Sequence, residues 1–240
     1  MPRIYDDGDS ERSLTSPVEF GQVELYGADE YGRVGPTHKT NEVVRVAVVL
    51  GTTPRQAWVH SVFGEELDKQ GMYHCLSEHS ADRQIVGEPA ECCLALNHDD
   101  AMAAKRVFGV TVVHYTTADG LTGKLPKEPL AVPFTIGWLR LSQNDYKKVS
   151  LLLQAGEKGT DFDFVVKARG PKGIGYDYER VAGQPRYMRD PAMKAAVLEA
   201  AALYLDGKQL QKRLGKVLPA ADFVTLPGAQ KPEVSYTGGE

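Results

Sequence analysis

The sequence contains few cysteines and no long hydrophobic run. Three cysteines in 240 residues, two of them adjacent, make a poor disulfide framework and favour a reducing compartment with free or metal-bound thiols. No stretch approaches the ~18 consecutive apolar residues of a membrane helix, and the start of the chain lacks the apolar segment of a secretory signal. We therefore expect a soluble, cytoplasmic protein without membrane contacts, in the host cytoplasm if the chain is viral.

The common catalytic motifs are also absent. The sequence has no G-x-x-x-x-G-K-[ST] phosphate loop, no G-x-S-x-G elbow and no H-E-x-x-H pair. Cys75 beside a histidine is compatible with a thiol nucleophile, and Asp99–Asp100 with a metal site, although paired acids before an Ala-rich run are better explained as a helix cap over residues 101–106. We expect a protein that is not an enzyme.

The charge is uneven along the chain. The formal net charge is −4, but residues 139–190 carry a local +3 and the remainder −7. A phosphate-binding surface needs local and not overall positive charge, so this distribution permits a basic groove. Ordinary solvated lysines and arginines explain the same counts.

All three cysteines and three of the six histidines lie within residues 58–93. Thiolate and imidazole are the ligands that zinc prefers, and His60, Cys75 and Cys92 or Cys93 follow one another at intervals that a metal-folded loop can close. The sharper signature would be C-x-x-C, since adjacent cysteines in an extended chain point to opposite sides. The spacing of these residues alone does not decide whether the protein binds zinc.

Composition divides the chain into four parts. Residues 1–42 are acidic and rich in Gly and Ser, which predicts a flexible arm whose segment 18–26 could add a strand to a sheet. Residues 43–182 form the predicted body. Residues 183–218 are predicted to be a C-terminal helical segment whose helix starts at Asp190-Pro191, and residues 219–240 are predicted to be a flexible tail.

The body is predicted to be mainly β with helices (α+β). Strands are expected at 43–50, 107–116 and 130–141, then a helix capped by Asn144 or Asp145, then a hairpin over 161–181. Strands that follow one another without intervening helices favour an antiparallel barrel or sandwich. The hairpin's paired Phe and Tyr residues are usually core; alternatively, one tyrosine face is open and stacks on bases, with basic residues on the phosphates.

The order of these parts resembles that of phage-type single-stranded DNA-binding proteins. The resemblance covers residues 43–182 and rests on Trp58-Val-His60, the cysteine-containing segment, the strands near 110–115 and 133–141, and the hairpin sequences at 162–167 and 176–179. It implies an OB-fold-like antiparallel barrel with a finger-like zinc-binding insertion at 58–93 and a C-terminal helix.

The resemblance also implies site residues. The metal ligands would be His60 and Cys75, followed by Cys92 and Cys93. Because the family separates its last two cysteines, either His74 or His79 completes the site or the metal has been lost. The implied nucleic-acid-binding residues are Lys147, Lys148, Lys167, Arg169, Lys172 and Arg180 on phosphates, with Trp138, Tyr146, Tyr176 and Tyr178 on bases.

The implied function is binding of single-stranded DNA with little sequence preference, to protect unwound DNA in replication, recombination or repair. Other replication proteins would be partners, recruited by the acidic arm because the C-terminal residues are not acidic, or not recruited at all. The contrasting hypothesis is a structural or assembly protein, a virion or tail component whose terminal arms drive self-association.

Overall fold

The computed structural model describes residues 43–49, 51–82, 84–154, 162–168, 176–204 and 207–230. The predicted arm, the last ten residues of the predicted tail, Arg169 and Lys172 lie outside these ranges. None of the helices in the described part is long and apolar enough to cross a membrane.

Within the described ranges the chain forms seven strands and few helices, which confirms the α+β class. The strands are β1 (Val43–Val48), β2 (Arg55–Val62), β3 (Gly71–His74), β4 (Lys105–Tyr115), β5 (Phe134–Ser142), β6 (Asp163–Ala168) and β7 (Tyr176–Val181). They form an open antiparallel sheet in the order β3-β2-β4-β1-β6-β7, and β5 also pairs with β4.

The helices are short. They are α1 (Glu91–Leu96), α2 (Gln143–Gln154), α3 (Pro191–Leu203) and α4 (Gly207–Arg213), with 3₁₀ turns at Leu67–Lys69, Arg186–Met188 and Ala220–Thr225. The chain divides into two compact units. Of the described residues, the first unit holds 43–55 and 108–210, and the second unit holds 56–107 and 211–230.

The core of the first unit is built from β-branched and aromatic side chains. All six residues of β1 are buried; five of them are apolar, as is usual for a strand covered on both faces, and the sixth is Arg45. Val46 lies opposite His114 on β4 and Phe164 on β6, so β1 is paired on both sides. Phe162 and Phe164 pack edge to face at 5.0 Å between centroids, which confirms that this pair of rings is core.

A buried ion pair ties β1 to β6. Arg45 donates to Asp163 Oδ2 from Nε at 2.9 Å and from NH2 at 2.6 Å. Tyr115 Oη donates to Asp163 Oδ1 at 2.9 Å, and the Arg186 amide donates to the same oxygen at 3.2 Å. Burial raises the pKa of Asp163, and the Arg45 charge opposes this shift. The carboxylate is thus satisfied by four donors in a place that water does not reach.

Two predicted helices are present with their N-terminal signals. The Asp190 side chain accepts a hydrogen bond from Met193 N at 2.8 Å, and Pro191 is the first residue of α3, as predicted. At α2, Ser142 Oγ accepts from Asp145 N at 3.1 Å and donates to Asp145 Oδ2 at 2.7 Å. Ser142 therefore makes the capping contact expected of Asn144 or Asp145, because the helix begins at Gln143, two or three residues earlier than those caps would place it.

The second unit has its own core, formed by residues far apart in sequence. Tyr73, Cys92, Cys93 and Phe223 are buried in one cluster. The sequence predicts a flexible tail over 219–240; instead, 219–230 pack here, with Phe223 0 % exposed and Gln230 N bonded to Ala95 O at 2.9 Å. Phe223 and its apolar neighbours supply the buried surface that a flexible tail would lack.

The predicted helix at 101–106 is not formed. Asp99 instead closes a turn, with its side chain accepting from Ala101 N at 2.7 Å and its carbonyl from Ala103 N at 2.8 Å. β4 begins at Lys105, so the Ala-rich run is too short for a helix before the strand starts.

Candidate functional site

Four potential metal ligands converge in the second unit. The ligand atoms of His60, Cys75, Cys92 and Cys93 all lie within 4.8 Å of one another. They come from β2, the residue after β3, and the first turn of α1. These are the residues that the sequence analysis selected, and the structure shows that they form a group able to hold a metal ion.

Helix α1 explains how two adjacent cysteines serve one site. Successive side chains of an α-helix are about 100° apart, whereas those of a strand point to opposite faces. Cys92 and Cys93 are the second and third residues of α1, and both lie in the buried interior. The objection that adjacent cysteines diverge applies to an extended chain, and here the chain is helical.

Three of the six distances between these ligand atoms match tetrahedral coordination, and all six are within 4.8 Å. Cys75 Sγ lies 3.7 Å from Cys92 Sγ and 3.3 Å from Cys93 Sγ. Cys93 Sγ lies 3.8 Å from His60 Nε2. Tetrahedral zinc with bonds of about 2.0–2.3 Å requires ligand atoms roughly 3.3–3.8 Å apart. Three sulfurs and one nitrogen therefore surround a space of the right size for this ion.

The imidazole of His60 is held in the tautomer that metal binding requires. Its Nδ1 lies 2.9 Å from Met102 O, and a carbonyl oxygen only accepts, so Nδ1 carries the proton. The lone pair is then on Nε2, the nitrogen that faces Cys93. A ligand histidine fixed through its other nitrogen is the usual arrangement in metal sites.

The thiols receive hydrogen bonds from their surroundings. Leu76 N donates to Cys92 Sγ at 3.2 Å, and Ser77 Oγ donates to Cys93 Sγ at 3.1 Å. Ser77 Oγ also accepts from Ala90 N at 2.8 Å, which links the segment after β3 to the start of α1. Such donors stabilise thiolates, the form that binds metal.

The pKa values show how the cluster shares protons without a metal. Hydrogen bonds from Cys75 and Cys93 lower the pKa of Cys92 despite its burial. Hydrogen bonds to the other two sulfurs, together with burial, raise the pKa of Cys75. Burial alone lowers the pKa of His60, but its bonds with Cys92 and Cys93 raise it to about 9. Metal binding needs deprotonated cysteines and a neutral imidazole, so it would release the protons that these groups share.

His74 and His79, the two alternative metal ligands predicted from the sequence, differ in their contacts with the cluster. His74 Nε2 lies 3.4 Å from the carbonyl of Lys212 and does not belong to the four-residue group. His79 Nε2 lies 3.2 Å from Cys75 Sγ, and its ring stacks on Trp58 with 4.1 Å between centroids. His79 is therefore a neighbour of the cluster, next to one ligand.

The rings predicted to stack on bases lie at different depths in the first unit. Trp138 is 3 % exposed, so its indole offers no face to a base as it stands. Tyr146 is half-buried and stacks on Phe108 at 3.9 Å between centroids. Tyr176 and Tyr178 on β7 are half-buried and pack against the core. Only the tyrosines of this predicted set keep part of the ring in solvent.

The predicted phosphate contacts are mostly at the surface. Lys147 is exposed, and Lys148 Nζ lies 3.4 Å from Asp145. Lys167 Nζ pairs with Glu179 at 2.8 Å, and the Arg180 guanidinium lies over the Phe162 ring at 4.2 Å. Arg169 and Lys172 belong to the connection between β6 and β7, outside the described residues.

Several residues that contact or pack around the four-residue cluster were not anticipated. Met102 and Leu76 act through main-chain atoms, which no side-chain pattern reveals. Ser77 and Phe223 carry no motif, although an isolated aromatic in a predicted tail is itself a signal of packing.

The comparisons with protein-family models, curated proteins and solved structures found no match for this chain.

Proposed function

We propose that the four-residue cluster binds zinc and that the ion has a structural role. Three thiolates and one imidazole form a ligand set that zinc prefers, and all four positions are taken by protein atoms. His60, Cys92 and Cys93 are also buried, which is typical of a structural and not a catalytic site. The ion would add to the core of this small unit and hold β2, β3 and α1 together.

Metal analysis tests this proposal. Purified protein should contain about one zinc per chain, and Cys92→Ser or Cys93→Ser should lose most of it. His74→Ala is the matched control, because His74 lies nearby but outside the cluster; His79→Ala should likewise keep the metal. Loss of zinc from the His79 variant with retention in a His60→Ala variant would refute the ligand set.

We further propose that the protein binds single-stranded DNA with little sequence preference, through an OB-like first unit. The supporting observation is the strand order of this unit. β1, β4 and β5 pair in succession, α2 follows, and the β6-β7 hairpin returns so that β6 pairs with β1. This strand order is compatible with an OB-like unit, in which the second unit would be an insertion between the first two strands.

The contacts would lie on the β6-β7 hairpin and on α2, which packs against β7. OB-folds bind oligonucleotides through the face of their second and third strands and through the loops between strands one and two and strands four and five. The last of these loops corresponds here to the β6-β7 connection, which contains Arg169 and Lys172. Tyr176 and Tyr178 would supply ring surface, and Lys147 and Arg180 positive charge. Trp138 is not part of this proposal, since it is buried.

A fluorescence anisotropy titration tests this function. A labelled oligo-dT should bind more tightly than a duplex of the same length, since the duplex's bases are already stacked and not available to aromatic side chains. Tyr178→Ala should weaken binding of oligo-dT by about 5-fold or more, as expected for loss of one stacked base. Equal affinity for both forms, or no binding of either, would exclude the proposal; ordered self-assembly without DNA affinity would favour the assembly-protein hypothesis.

A further inference from the structure

The second unit carries an aromatic pair beside the metal cluster. The rings of Trp58 and His79 stack at 4.1 Å between centroids with 15° between their planes. Both side chains are only half-buried, in contrast to His60 two residues along the same strand, which is 0 % exposed. A pair of parallel rings at the edge of a core leaves aromatic surface in contact with solvent.

The metal cluster determines where this pair lies. Cys75 N donates to Trp58 O at 2.8 Å, which fixes the main chain of Trp58. Cys75 Sγ lies 3.2 Å from His79 Nε2, which fixes the ring that stacks on the indole. One metal ligand thus holds both members of the pair.

A cationic side chain lies along the same face. Gln56, Trp58 and His60 alternate on β2, so all three point to one side of the strand, about 7 Å from one to the next. The exposed Gln56 amide oxygen accepts from Arg106, with Nε at 3.0 Å and NH2 also in contact. The row therefore runs from the buried metal ligand through the indole to a guanidinium at the surface.

We infer that Trp58 and His79 form a stacking site for one unpaired nucleobase, with Arg106 placed to contact the adjacent phosphate. This inference rests on the single-stranded DNA binding proposed above and adds to it a contact in the second unit. Indole offers the largest stacking surface of the side chains, and guanidinium groups pair with phosphates.

The surrounding charge limits the extent of this site. The second unit also exposes carboxylates, including Glu65, Glu66, Asp68, Glu78, Glu88 and Glu91. These groups repel phosphates, so the strand would touch the unit only at the aromatic pair and Arg106.

Tryptophan fluorescence tests the inference directly, because the chain has only two tryptophans and Trp138 is buried. Saturating oligo-dT should quench a substantial part of the wild-type emission, since a base stacked on indole quenches it. The Trp58→Phe variant keeps an aromatic ring and should lose the quench while its affinity, measured by anisotropy, falls by no more than about 3-fold. Trp58→Ala should bind about 5- to 100-fold more weakly, the range expected for one stacked base.

The controls separate the possible failures. Zinc content is measured for every variant, so that loss of the metal centre is not mistaken for loss of stacking. If the Trp58→Phe variant shows the wild-type quench, or if Trp58→Ala with bound zinc has wild-type affinity, the inference is overturned while DNA binding stands. If the wild-type protein does not bind oligo-dT, both the inference and the proposed function fail.

Discussion

At the scale of single residues, the buried ion pair of Arg45 and Asp163 is the feature on which the stability of the fold depends most clearly. Two charges removed from water are stable only when each is fully bonded, and here the carboxylate has four donors. Removing one partner leaves the other charge buried and unpaired, which costs much more than losing an exposed pair.

We predict that Asp163→Asn lowers the free energy of unfolding by about 3–5 kcal/mol. The matched control is Glu179→Gln, which removes an exposed carboxylate from Lys167 on the neighbouring β-strand and should change the value by less than ~0.5 kcal/mol. Urea unfolding followed by circular dichroism gives both values. Equal effects of the two substitutions would show that the buried pair does not contribute as argued.

A second prediction for a single residue concerns the stability that the protein loses at acid pH because of His114. His114 is 1 % exposed, and no described residue bonds to its Nδ1. Burial lowers the pKa of His114 from 6.5 to about 4. The folded state therefore holds this ring neutral, and the unfolded state takes up a proton first as the pH falls. His114 favours folding above pH 6.5, and this contribution is lost between pH 6.5 and 4.

His114→Gln isolates this effect from the titration of the metal ligands, which both proteins share. Between pH 7 and pH 4.5 the wild type should lose roughly 2–3 kcal/mol more stability than the variant, as measured by unfolding at each pH. If both proteins lose the same amount, the buried histidine is not the cause.

At the scale of elements, the second unit depends on a segment far away in sequence. Phe223 lies edge-on to His60 at 6.3 Å and to Tyr73 at 6.2 Å between centroids. Gly228 has φ +77°, and a Cβ there would lie 2.7 Å from the Met102 side chain. Met102 is the residue whose carbonyl orients His60, so the segment 219–230 packs directly behind the metal cluster.

We therefore predict that Phe223→Ala accelerates the transfer of zinc to a chromogenic chelator by at least 10-fold. The substitution removes a buried aromatic ring from the core around His60, and the loss of such a ring lowers the free energy of unfolding by about 3–5 kcal/mol. Val224→Ala is the control, because Val224 is adjacent but only half-buried. Unchanged release rates in the Phe223 variant would mean that the segment covers the metal unit without stabilising it.

The elements also show what the sequence could predict. Strong local signals, such as the β-branched residues of β1 and the Asp190-Pro191 start of α3, predicted elements that the structure contains. Helix α1 was missed because its six residues are too few for a periodic pattern, and this helix is what allows Cys92 and Cys93 to share one site. The four residues of the cluster could be selected from the sequence, but the main-chain groups of Leu76 and Met102 that contact them could not.

At the scale of the whole molecule, charge decides how DNA could be bound. The protein is net negative, so its overall field does not attract a polyanion. Any affinity for single strands must come from local cations that displace counterions, in addition to stacking. Lys147 and Lys124 are both exposed lysines of the first unit, but only Lys147 belongs to the proposed groove.

These two lysines distinguish local from overall charge, because replacing either with Gln changes the formal net charge from −4 to −5. For a single strand the slope of log K against log salt is about −0.7 per phosphate contact, so about four contacts give a slope near −3. Lys147→Gln should make this slope shallower by about 0.7, while Lys124→Gln should leave it unchanged. Anisotropy titrations with oligo-dT at several salt concentrations measure the slopes. An equal change in both variants would mean that net charge, and not a groove on the hairpin and α2, governs binding.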